Sequence, residues 1–133
     1  VKYLLDTHVL VWWLFDDRRL GKTDRRVLGR AEARREPVGV SAISLWEVAR
    51  LASSGRIRLE EQIDEALEQI ESSARLAVLP LTARIAADSM RLGVAFPTDP
   101  VDQIIAATAR CHGLTLLTHD ERIRASGAVS VLD

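Results

Sequence analysis

The chain has 133 residues with 47% hydrophobic and 28% charged, a formal net charge of −1 and one cysteine, Cys111. That balance excludes a disordered chain and suffices for a buried core without disulfide staples. No apolar run approaches the roughly 18 residues of a bilayer crossing, and no basic region followed by a cleavable apolar segment opens the chain, so the expectation is a cytoplasmic protein with no membrane partner.

Lys2-Tyr3-Leu4-Leu5-Asp6-Thr7-His8 reads as a short strand that delivers an acid to the point where the strand must stop. Val9 to Phe15 is an apolar run too long for that strand and reads as a helix packed on a sheet. Trp12 and Trp13 are adjacent, so a helix cannot point both inward; core or interface duty is expected of them and of Trp46. Leu20-Gly21 breaks the run. Asp24 to Arg35 resumes as a helix, with Leu28 and Ala31 on one side and Arg26, Arg30 and Arg34 at i, i+4 spacing on another. Positions 18 to 35 carry eight basic residues against Asp24 and Glu32, whereas Glu60 to Glu71 carries six acids and no base. A nearly neutral protein can therefore show a basic face to a polyanion.

Pro37 ends that helix and Val38-Gly39-Val40-Ser41 is β-prone. Ser44 opens a helix through about Ser53, closed by Ser54-Gly55. Glu60 to Ser72 is amphipathic, with Ile63, Leu67 and Ile70 as its buried line. Leu76 to Leu79 reads as a strand ended by Pro80, and Thr82 starts a helix to about Leu92. Asp99 suits the cap, and Pro100 the first position, of an alanine-rich helix from Val101 to His112 with Gly113 after it. Leu114 to Leu117 is a strand leading to Thr118-His119-Asp120, and Val129 to Val131 a final strand. No repeat, low-complexity tract or linker interrupts the pattern, so residues 1–133 read as a single domain. The alternation predicts an α/β fold, with a mostly parallel central sheet of four to five strands flanked by helices.

If the sheet is parallel, Asp6 and Asp120 follow strands at one edge, and Glu47 and Asp102 lie in the first turns of helices that begin there. Each acid has a bland explanation. Asp6 and Asp120 could be turn or cap residues; Glu47 follows Ser44 at capping-box spacing; Asp102 suits the helix dipole. Convergence on one edge is harder to dismiss. Clustered carboxylates need positive charge, and an oxygen-only ligand set suits Mg²⁺ or Mn²⁺.

The sequence resembles PIN-domain ribonucleases, specifically the VapC-type toxins of bacterial toxin–antitoxin pairs. The resemblance is carried by Leu4-Leu5-Asp6-Thr7-His8 with Trp12-Trp13-Leu14, by Ser41-Ala42-Ile43-Ser44-Leu45-Trp46-Glu47, by Asp99-Pro100-Val101-Asp102 with Ile105-Ala106-Ala107-Thr108-Ala109, and by Leu117-Thr118-His119-Asp120. It implies a three-layer PIN-like fold and a metal-dependent endoribonuclease acting on RNA, with Asp6, Glu47, Asp102 and Asp120 as catalytic metal ligands. It also implies a homodimer neutralised by a cognate VapB-type antitoxin. Gln103 stands where relatives commonly carry Arg, which puts a phosphate or salt-bridge role there in doubt.

Around the quartet, Thr7, Ser44, Asp99 and Thr118 are supporting positions, and Arg26, Arg30 and Arg34 are RNA-binding candidates whose bland reading is a solvated face. His8, His112 and His119 share no metal-ligand spacing, and Cys111 reads as a small apolar residue. Other readings are a catalytically inactive PIN-fold binding module, an aspartyl-phosphate phosphatase using Asp6, or a phospho-accepting receiver domain. His8 occupies the place where a phosphatase would want a second acid. The only lysines, Lys2 and Lys22, come too early for the receiver's late lysine.

Overall fold

In a computed structural model, which describes residues 1–133, the strands are β1 (Tyr3–Leu5), β2 (Val38–Ser41), β3 (Leu76–Leu79) and β4 (Thr115–Leu117). All pair in parallel, in the order β3-β2-β1-β4. The registers Leu5↔Val40 and Leu5↔Leu117 bring the carboxyl ends of β2, β1 and β4 nearly level. Chain order runs outward from β1 to β2 and β3, then returns to place β4 on the other side of β1. The reversal opens a crevice beyond the carboxyl ends of β1 and β4, where open α/β sheets bind ligands.

Alternation along the strands divides the core between the two faces. Leu5, Val38, Val40 and Leu117 pack with Val9 and Leu10 of α1 (Thr7–Leu14), Leu28 and Ala31 of α2 (Lys22–Ala33), Val48 of α3 (Ala42–Ser53) and Ile70 of α4 (Ile63–Ser72). Leu4 and Leu116 face the other way. They meet Val101, Ile105, Ala106 and Ala109 of α6 (Pro100–His112) and Ile123 of α7 (Glu121–Ser126). With both faces covered, the strands carry no exposed stripe. Gly39 is the tight point of the sheet: a Cβ there would stand 3.0 Å from the Tyr3 carbonyl oxygen and 3.2 Å from Leu4 Cδ1.

Several local expectations change. Helix α2 starts at Lys22, two residues early, because the Asp24 carboxylate accepts the Gly21 amide at 3.2 Å and so caps from inside the helix. Helix α3 starts at Ala42: Ser41, still in β2, is its cap and accepts the Ile43 amide at 3.2 Å, so Ser44 is not the opening residue. Ile63 is exposed; Ala66 and Ile70 form the inward line of α4, with Leu67 half-buried beside them. Helix α5 (Ala83–Asp88) stops short of Leu92. The sheet has four strands, since Val131 makes only an isolated bridge to Leu116. Both tryptophans of α1 are half-buried, Trp13 under the Arg75 guanidinium at 4.0 Å and Trp12 near Arg19 at 5.4 Å, so neither is turned outward. No helix is long and apolar enough to cross a membrane.

Candidate active site

The site starts at the last hydrogen bond of the β1–β4 pair. The Asp6 amide donates to the Leu117 carbonyl at 3.0 Å, which sets Asp6 beside Thr118 at the sheet edge. Asp6 is 6% exposed and caps α1. One of its carboxylate oxygens accepts the Thr7 amide at 2.8 Å and the other accepts the Thr118 hydroxyl at 2.7 Å. Burial pushes its carboxyl above the ordinary range, opposed by the Thr118 and Thr7 hydrogen bonds and by His8. The Thr118 hydroxyl in turn accepts the Asp120 amide at 3.1 Å, so one side chain ties two acids together.

Glu47, 8% exposed, lies in the second turn of α3. Its three-residue spacing from Ser44 is not a capping box, because Ser41 holds the cap. The spacing instead puts both side chains on the inward face. There the buried Ser44 hydroxyl meets the buried Thr7 hydroxyl at 2.9 Å, joining the first turns of α3 and α1.

Asp99 and Asp102 divide their labour. Asp99 caps α6, accepting the Val101 amide at 2.8 Å and the Asp102 amide at 3.3 Å. With that duty filled, the Asp102 carboxylate is free to face the crevice. Its pKa is pushed up to about 7, first by burial, then by the charges of Asp6, Asp99, Asp120 and Glu47. Asp102 therefore feels the other three predicted acids, each from a different element. Gln103 donates its side-chain amide to the Pro97 carbonyl at 3.2 Å, holding the loop before α6.

Asp120 is the one member of the quartet paired with an arginine. It caps α7 through the Arg122 and Ile123 amides and meets the Arg122 guanidinium at 3.2 Å. Burial pushes its carboxyl up, but the Arg122 pair and those two amides outweigh burial, and its pKa falls below the ordinary value. As the side chains stand, no three His, Cys, Asp or Glu residues are drawn into a group that would clasp an ion. The carboxylates of Asp6 and Asp120 are both engaged in capping their helices. The donor set still suits a hard divalent cation, since it is all carboxylate and one member is pushed toward neutral pH first by burial and then by its fellows.

Arg26 and Arg30 are exposed on α2, and Arg34 is exposed at its C-cap. The start of that helix is joined to the crevice by an interaction no local pattern predicted: His119 Nε2 lies 2.6 Å from Asp24 Oδ2, across 95 residues of chain. Sequence reasoning could have flagged only that His119 sits beside Asp120.

A parallel α/β sheet with acids gathered where its strand order reverses defines a class of protein that acts on a ligand at that edge. The sequence model of the PIN domain matches residues 3–128, and the chain belongs to the PIN domain family. It is 36% identical over 121 residues to Ribonuclease VapC22 of Mycobacterium tuberculosis, spanning 91% of this chain and 88% of that relative. It also resembles the solved toxin–antitoxin complex from Klebsiella pneumoniae, with 27% identity, a TM-score of 0.67, and coverage of 99% of this chain and 97% of that one. The fold is shared with DNA-bound VapBC from Salmonella typhimurium, with a TM-score of 0.73 at 21% identity, covering 100% and 98% of the two chains.

Proposed function

We propose that this chain is an endoribonuclease of the VapC type, the toxin of a toxin–antitoxin pair, cutting RNA phosphodiesters with water. The observation that carries the reading is that Asp102, its pKa raised first by burial, also responds to the charges of Asp6, Asp120 and Glu47 from three other elements. The ribonuclease relative supports it. These four carboxylates would hold Mg²⁺ or Mn²⁺. When bound, such an ion supplies an activated water and neutralises charge on the phosphodiester and the departing oxygen.

The chain's own residues do the positioning. Thr118 orients Asp6 and the Asp120 backbone, the Thr7–Ser44 pair sets α1 against α3, and Asp99 frees Asp102 by taking the cap. His8 stands where an aspartyl-phosphate phosphatase would want its second acid, which speaks against that mechanism. The complete quartet likewise speaks against an inactive binding module. Residues 1–133 would act as one domain and as a homodimer. A cavity of about 540 Å³, lined by Leu14, Phe15, Ile57 and Leu59 with Arg58, Glu60 and Glu61 among its polar residues, would receive a segment of a VapB-type antitoxin.

The test is cleavage of single-stranded RNA by purified protein. We expect no cleavage in excess chelator and recovery when Mg²⁺ or Mn²⁺ is restored. Equal cleavage in chelator would end the metal mechanism, and no cleavage of any RNA under either condition would end the nuclease reading.

A further inference from the structure

A crevice of four carboxylates repels a polyanion, so an RNA strand needs favourable contacts beside the acids as well as counter-charge among them. One flank of the crevice is built to supply them. His119 follows the threonine that holds Asp6 and precedes Asp120; His8 lies two residues beyond Asp6, and Trp12 one helical turn further along α1. The His119 and Trp12 rings are 5.1 Å apart at 88°, and His8 lies 6.3 Å from Trp12.

We propose that His119, with Trp12 and His8 behind it, is a stacking platform for an RNA base next to the scissile phosphate. The inference rests on the ribonuclease reading above. His119 is pinned yet open: its Nε2 is held by Asp24 at 2.6 Å while 42% of its side chain remains exposed. An exposed ring held in one orientation loses little freedom when a base lands on it. Arg75 lies 4.0 Å over Trp13 and Arg19 5.4 Å from Trp12, so the open face belongs to His119, with Trp12 as its support.

Charge continues the path. Asp24 sits in the first turn of α2, and Lys22, Arg26 and Arg30 recur at i, i+4 spacing on the exposed side. None of these three is in an ion pair, whereas Arg19 and Arg25 nearby are taken by Asp17 and Asp16. Aromatic rings beside a run of free cations are the combination that binds single strands, the rings taking bases and the cations the backbone.

The experiment compares binding of a fluorescent 2′-O-methyl oligoadenylate with that of the same oligomer made abasic, both checked intact after titration. Parent protein, His119→Ala and His119→Phe are measured, with cleavage of unmodified RNA followed in parallel. The parent should bind the base-bearing oligomer about tenfold more tightly than the abasic one. His119→Ala should abolish that preference, and His119→Phe, which keeps a flat ring but loses the Asp24 bond, should retain it. A preference unchanged in His119→Ala overturns the proposal. So does an equal weakening toward both oligomers, which assigns His119 to holding α2 in place. A parent that binds these oligomers but cuts no RNA defeats the nuclease reading instead, with the stacking result read separately.

Discussion

At the scale of single residues, Asp99 and Asp102 sit three positions apart in one helix start and do opposite things. The folded protein holds the Asp102 proton up to about pH 7, against an ordinary value of 3.8. The folded state therefore binds that proton more tightly than the unfolded one, and stability falls as pH climbs from about 4 to about 7, with no further loss above. In chelator, Asp102→Asn should melt higher than the parent at pH 8 by about 1–2 kcal/mol, the full shift being reduced by partial exposure. The two should converge near pH 4. The same variant should lose cleavage and most of the melting gain from Mg²⁺, whereas Asp99→Ala should cost about 1 kcal/mol as a lost cap and still cut RNA. Melts across pH with and without Mg²⁺, alongside cleavage rates, check both. Thr118 carries a separate prediction. Thr118→Val removes the hydroxyl that favours ionised Asp6, so Asp6 should titrate higher still and the acid limb of the cleavage pH profile should move up. Stability should drop by about 1–3 kcal/mol for the buried groups left unpaired. Thr118→Ser should restore the parent profile; an unmoved limb in the valine variant would remove Thr118 from the positioning of Asp6.

At the scale of elements, α2 has one buried and one exposed side with different work. Asp24, Leu28 and Ala31 face inward and anchor the helix to the sheet and to His119. Arg26, Arg30 and Arg34 face solvent, so replacing all three with Gln should leave the melting temperature near that of the parent. With fewer phosphates neutralised by arginine, fewer counterions leave the RNA on binding. Affinity should therefore weaken, and the slope of log K against log salt should flatten by about 0.7 for each phosphate no longer neutralised on a single strand. Titrations at several salt concentrations read the slope directly, and an unchanged slope would return the arginines to a solvated face.

At the scale of the molecule, the surfaces left apolar are not those the paired tryptophans suggested. Arginines cover Trp12 and Trp13, while Leu81, Met90 and Val94 stand open around α5 at 48%, 79% and 107% exposure. We expect the dimer interface to fall there and the antitoxin to bind at the Leu14–Phe15 cavity. Met90→Glu should then yield a monomer in sedimentation at micromolar concentration, and Phe15→Glu should weaken capture of the antitoxin without altering that sedimentation. A parent that already sediments as a monomer removes the dimer, and Phe15→Glu protein that still binds antitoxin fully removes the cavity from that role.

The sequence by itself determined the strands β1 to β4, the parallel alternation and the Asp99–Pro100 start of α6, and it supplied the four candidate acids. These are written in local periodicity, in turn residues and in short motifs, each set by neighbours a few positions away. Helix starts were misread where a side chain caps from an unexpected position, as Asp24 does inside α2 and Ser41 does from within β2. Only the tertiary structure decided what the acids mean to one another. Asp102 is raised first by burial and then by carboxylates from three other elements, Thr118 bridges Asp6 and Asp120, and His119 reaches Asp24 across 95 residues. Such interactions depend on distances in space between segments far apart in the chain. Coulomb energy and hydrogen bonding respond to those distances, and a one-dimensional pattern does not contain them.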